Sequence, residues 1–168
     1  MAEEIVALVD ESGAVTGSAP RSVVRSQNLL HSATAVLVRD PVGRFYVHRR
    51  SETKDWAPGH WDVAAGGVIA LGEDPYDAAL RELAEELGIT GVVLEPLGTH
   101  LYEDATTRCF EHAFSCTWAG RVIHQVEEVA EGRWMTAAEL GELLADPQVA
   151  FVPDSRQLVE IMAARLGL

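Results

Sequence analysis

Residues 75 to 87 carry the strongest local instruction in the chain. Asp74 supplies an N-cap acceptor, Pro75 a first-turn residue whose missing N–H is not needed, and Asp77 an acidic first turn. Gly88 stands where a left-handed residue closes a helix. The spacing therefore predicts a helix over 75–87. At about 100° per residue, Tyr76, Leu80, Leu83 and Leu87 fall on one apolar stripe, which obliges the helix to pack on a core. Glu82, Glu85 and Glu86 occupy a separate arc about 100° wide.

Like charges at i, i+3 and i, i+4 repel by about 0.2–0.5 kcal/mol per pair, and no lysine is interleaved to relieve them. A divalent cation relieves them. Mg²⁺ takes oxygen ligands and completes its shell with water and substrate phosphate, a demand that glutamates clustered on a rigid helix meet. The competing reading is a solvated acidic face in an acidic chain. If the metal reading holds, Glu86 is exposed to the metal site and dispensable for folding.

Around this helix the pattern alternates strands with turns. Ile5 to Val9 and a short strand ending at Ala19-Pro20 form a hairpin, followed by a brief helix over Arg21 to Gln27. Ala33 to Val38 and Phe45 to Arg49 read as strands joined by the turn-rich Asp40-Pro41-Val42-Gly43. A polar loop from Ser51 to His60 leads through Trp61 to Ala65 into Gly66-Gly67, where backbone is expected to approach something closely, or simply to turn. Further strands are expected at Val92 to Leu97, His100 to Glu103, Cys109 to Trp118 and Arg133 to Met135, with helices at Ala137 to Leu144 and Ser155 to Leu166. A mixed β-sheet with helices on its faces is an α/β sandwich. With 168 residues and 48% apolar composition, a single domain over 1–168 is the expectation.

The formal charge of −13 repels polyanions, so duplex nucleic acid is excluded as the main partner and a small phosphorylated molecule needs locally concentrated cations or metal. No run approaches the roughly 18 apolar residues of a membrane span, and Glu3 and Glu4 open the chain instead of a basic patch, so no membrane partner and a cytoplasmic location are expected. Cys109 and Cys116 are seven apart in one strand and so face opposite ways; reduced thiols are expected, without ligand-like spacing for a metal.

Reading outward from the glutamates, Gly67 is followed by five residues and Glu73, then by seven residues and Arg81-Glu82-Leu83-Ala84-Glu85-Glu86-Leu87-Gly88-Ile89. This pattern resembles, at every defined position, the signature of the Nudix hydrolase superfamily. The resemblance implies a Nudix-type α/β/α sandwich with a loop-helix-loop, and Mg²⁺, or Mn²⁺ in its place, as cofactor. It implies that Glu85 and Glu86 hold metal, that Glu82 binds metal or activates water, and that Arg81 pairs with Glu73 to brace the loop. It makes the Gly66 carbonyl a further metal ligand. It also points to an acidic residue from Glu127-Glu128-Val129 at the metals or the attacking water, Glu128 first and Glu127 second; the alternative is a charged loop.

Upstream, Arg49-Arg50-Ser51-Glu52-Thr53-Lys54, Trp56, Pro58-Gly59 and Trp61-Asp62 resemble the branch related to isopentenyl-diphosphate isomerase. That resemblance implies diphosphate contacts for Arg50 and Lys54, against the reading of surface charges on a loop. The isomerase's acid/base cysteine falls on Gly66 and a metal-binding histidine on Val68, so its proton-transfer machinery is absent. His31 matches an isomerase histidine and, without those partners, reads as a hydrogen-bonded structural residue. Trp56, Trp61 and Trp134 are base-stacking or packing residues. The expected activity is hydrolysis of a phosphoanhydride bond in a nucleoside di- or triphosphate or another nucleoside-diphosphate-linked compound. The rivals are a nucleotide-sensing module without turnover and an isomerase using other groups. Monomer and homodimer both stay open, with the N-terminal hairpin a candidate dimer surface.

Overall fold

The computed structural model describes residues 2–168. The chain runs β1 (Ile5–Val9), β2 (Val15–Pro20), α1 (Arg21–Gln27), β3 (His31–Arg39), β4 (Phe45–Arg50), β5 (Trp61–Asp62), β6 (Ala64–Ala65), α2 (Pro75–Leu87), β7 (Glu95–Glu103), β8 (Arg108–Thr117), β9 (Val129–Met135), α3 (Ala137–Ala145) and α4 (Pro153–Leu166).

β3 is the hub because its residues are buried on both faces, all but the terminal Arg39. It pairs antiparallel with β1, β4 and β6, and parallel with β8 from His31 opposite Cys109 to Arg39 opposite Thr117. Strand alternation then sorts its side chains into two cores. Ala35 and Leu37 pack with Leu140 of α3 and Leu158, Met162 and Leu166 of α4. Val36 and Val38 pack with Ala79, Leu83 and Leu87 of α2. The result is the α/β/α sandwich with a mixed sheet that the sequence led us to expect.

α2 keeps its expected bounds. The Asp74 side chain accepts from the Tyr76 N–H, and Gly88, at φ +64°, closes the last turn with its N–H on Ala84 and Leu83. The two strands expected around 92–97 and 100–103 are instead one strand, β7, bulged at Leu97 between the Pro96 and Gly98 pairings. β3 starts earlier than its apolar run, at His31, and β9 starts at Val129, four residues before the expected Arg133. Cys109 and Cys116 are buried and unbridged, and Cys116 lies in the core on the α2 side. Among the described residues no helix is long and apolar enough to cross a membrane.

Candidate active site

The signature loop lies between β3 and α2, and its glycines fit that sandwiching. A Cβ on Gly66 would collide with the Thr34 carbonyl of β3, and one on Gly67 would stand 2.6 Å from Glu82 Oε1. Neither glycine has positive φ, so close approach, and not a left-handed turn, is what requires them. The Gly66 N–H donates to Glu86 Oε2 at 3.2 Å.

The three α2 glutamates form a graded wall. Glu86, expected to be exposed, is instead only 3% accessible. It sits at the flank of the Leu83/Leu87 stripe, where the 64–67 segment covers it. Burial, reinforced by Glu82 and opposed by Lys54 and Arg50, pushes its carboxyl up to about 8. Glu82 is half-buried and is also raised, chiefly by burial. Glu85 is outermost, with half of its side chain in solvent. Arg81 organises the wall: it grips both oxygens of Glu73, at 2.8 and 3.0 Å, and reaches Glu82 at 2.8 Å and Glu85 at 3.5 Å. These ion pairs hold its guanidinium firmly charged. The donors on this wall are carboxylate oxygens, with one acid buried beside another. That set suits a hard divalent cation.

Cations face the wall across an open cleft of about 210 Å³. Lys54 is ion-paired with Glu128, so the structure joins the expected phosphate ligand to the expected acid. Arg50 is 8% accessible; its Nε donates to the Ala57 carbonyl at 3.2 Å and its Nη2 to Trp56 at 2.8 Å, tying down the 51–60 loop from the cleft side. Arg50 and Arg25 both lie against the Trp56 ring, at 5.7 and 5.6 Å. Arg21 grips Asp55 of the same loop at 2.7 and 3.1 Å. The α1 arginines were missed in sequence; the signal was their i, i+4 spacing on a short helix. Of the three tryptophans considered, Trp56 lines the cleft, whereas Trp61 packs against Arg133 and Trp134 against Tyr46. His31 is buried with Nδ1 2.9 Å from the Leu29 carbonyl, and burial lowers it to about 4, as suits a structural imidazole.

Sequence reasoning also missed a second acidic group in the cleft. Asp62, Glu111 and Asp154 are buried and line it together with Cys109. Asp62 accepts from the Ala64 N–H at 2.9 Å and Asp154 from the Ser155 N–H at 2.9 Å. Burial, aided by mutual repulsion, raises Asp154 to about 6 and Glu111 well above the carboxylate range. Cys109, whose spacing in sequence offers no ligand set, lies against two of these acids. Its partners are Glu111, two residues along β8, and Asp154, 45 residues away on α4, which cysteine spacing cannot reveal. A glutamate on the buried face of β8 was the one available signal.

A signature loop and capped glutamate helix on an α/β/α sandwich define a Nudix protein. Residues 29–156 match the NUDIX domain model, and the chain belongs to the Nudix family. The uncharacterized Nudix hydrolase orf19 of Rhodococcus erythropolis is 45% identical over 168 residues, covering 94% of this chain and 91% of its own. The uncharacterized Nudix hydrolase YfcD of Escherichia coli K12 is 38% identical over 162 residues, covering 96% and 88%. Among solved structures, DR0079 of Deinococcus radiodurans is similar with a TM-score of 0.80 and 26% identity, covering 94% of this chain and 98% of its own.

Proposed function

We propose that this chain, acting as one domain, is a Mg²⁺-dependent hydrolase that cleaves a phosphoanhydride bond in a nucleoside di- or triphosphate or related nucleoside-diphosphate compound. The observation that carries the reading is one cleft with Glu82, Glu85 and Arg81 on one side and Arg50 and Lys54 on another, in a chain of charge −13. Glu82, Glu85, Glu86 and the Gly66 carbonyl are the groups to hold Mg²⁺, or Mn²⁺ in its place. When bound, the ion neutralises charge on the phosphate oxygens and acidifies water.

The remaining work belongs to the protein. Lys54 and Arg50 supply positive charge and N–H donors to the diphosphate, as the resemblance of the 49–62 segment to the isopentenyl-diphosphate isomerase branch supports. Glu128, released from Lys54 as phosphate takes its place, receives the proton of the attacking water; Glu82 is the second candidate. Arg81 and Glu73 keep the loop and helix in register. Gly66 has no group to move a proton at carbon, so isomerisation is not the reading.

The test is release of phosphate and nucleotide from a panel of nucleoside di- and triphosphates, nucleotide sugars and dinucleotides, with Mg²⁺ and with chelator. Release on one class, abolished by chelator, is expected. Silence across the panel with nucleotide binding intact would instead make the protein a sensing module.

A further inference from the structure

The floor of the cleft holds metal-ligating side chains that the α2 glutamates do not include. Cys109 and Glu111 are two apart on β8 and share a face. Antiparallel pairing sets His100 of β7 directly opposite Glu111, and Asp154, in the first turn of α4, meets the same group. Cys109 Sγ and one carboxylate oxygen each from Glu111 and Asp154 lie within 4.8 Å of one another. Sγ is 3.8 Å from Asp154 Oδ2. A sulfur at about 2.3 Å and an oxygen at about 2.1 Å from one tetrahedral zinc ion stand about 3.6 Å apart, so the spacing needs little adjustment.

Unmet polar atoms point the same way independently. Glu111 is 3% accessible, yet its Oε1 has no hydrogen-bond partner among the described residues. His100 is 8% accessible and neither ring nitrogen completes a well-formed hydrogen bond; its polar neighbours are the Asp154 backbone and Glu111 Oε1, 3.5 Å from Nε2. Buried polar groups in a native fold ordinarily have partners, and buried carboxylates ordinarily have a counter-charge. Asp62 adds a third buried acid to the floor, opposed by Arg50 near Asp154 and Arg25 near Cys109.

We propose that Cys109, Glu111 and Asp154 form a second metal site, for a thiophilic divalent ion of the zinc class, with His100 orienting Glu111. The thiolate separates this site from the all-oxygen wall on α2: sulfur selects zinc-like ions, whereas the wall selects Mg²⁺. Binding forms a metal–sulfur bond and two metal–oxygen bonds and releases the thiol proton, with any carboxyl protons, to solvent. His100 acts as a ligand-orienting neighbour of the kind that typically changes metal affinity about 10–100-fold when removed.

The inference is independent of the hydrolase reading, because its readout is spectroscopic. The protein is titrated with Co²⁺ under excess Mg²⁺, which competes for sites made of oxygen ligands alone. One equivalent is expected to produce a thiolate-to-cobalt charge-transfer band that one equivalent of Zn²⁺ abolishes. Cys109→Ser should lose the band and Cys116→Ser keep it. Glu111→Gln and His100→Phe should each weaken Co²⁺ binding by about tenfold or more. No band in the wild-type protein, a band surviving in Cys109→Ser, or unchanged Co²⁺ affinity in Glu111→Gln would overturn the site, leaving a buried carboxyl pair that shares a proton. If Cys109→Ser does not fold, the wild-type, Cys116→Ser and Glu111→Gln titrations decide the matter.

Discussion

Glu73 and Arg81 are joined by two hydrogen bonds, Nε to Oε1 at 2.8 Å and Nη2 to Oε2 at 3.0 Å. Glu73 also accepts the Ala70 N–H, while the other side of the guanidinium reaches Glu82 at 2.8 Å. The fork thus ties the signature loop to α2 and fixes the position of a cleft carboxylate. A lysine keeps the charge and loses the fork. Arg81→Lys should lower kcat/KM on the order of 10–100-fold, the penalty typical of slight misplacement of reacting groups, with only a modest fall in Tm. Steady-state kinetics beside a thermal melt checks this.

Adjacent glycines should fail differently. A Cβ at Gly66 meets β3 backbone, which cannot move aside, so Gly66→Ala should destabilise by about 2 kcal/mol or more. At Gly67 the obstacle is the end of the Glu82 side chain, so Gly67→Ala should remain folded while its turnover falls. Urea titrations of both variants, set against their kinetics, separate the two outcomes.

Lys54 and Glu128 form an ion pair at the cleft. Lys54→Ala should raise KM for the preferred substrate by about tenfold, the loss of one charge-assisted phosphate contact. Glu128→Gln should lower kcat with little change in KM, as expected for a proton acceptor. The opposite split between the two variants would exchange their roles.

His48 and His31 are buried, and desolvation lowers each to about 4. The folded state therefore binds fewer protons than the unfolded state between the unperturbed value near 6.5 and about 4. Their contribution to stability is fully present above about pH 6.5 and is lost as pH falls towards 4. For His48 it is about 3 kcal/mol over that whole range. His48→Leu, which removes an imidazole whose Nδ1 has no partner, should flatten part of this acid loss. Urea unfolding at pH 7 and pH 5 measures the difference.

What the sequence made legible was local. The caps and periodicity of α2 and the Gly67-to-Glu73-to-Arg81 spacing each lie within one short stretch, and the helix formed where it was expected. The depth of Glu86 was not legible. Helical periodicity placed it beside the apolar stripe, but the 64–67 segment that covers it comes from elsewhere in the sheet. The cleft floor was hidden for the same reason: Cys109 and Asp154 are 45 residues apart, and only the packing of α4 across β8 unites them. The bulge at Leu97, which carries β7 through a region expected to be two strands, likewise depends on pairing with β8.

The most direct test of the central claim is a Mg²⁺ titration of turnover in chelator-treated wild-type protein and in Glu86→Gln. The account predicts saturable activation by Mg²⁺ in the wild type. It also predicts turnover about a hundredfold or more lower in the folded variant, in line with the several kcal/mol that metal charge stabilisation represents. Near-normal turnover in folded Glu86→Gln, or wild-type turnover indifferent to chelator, would contradict it.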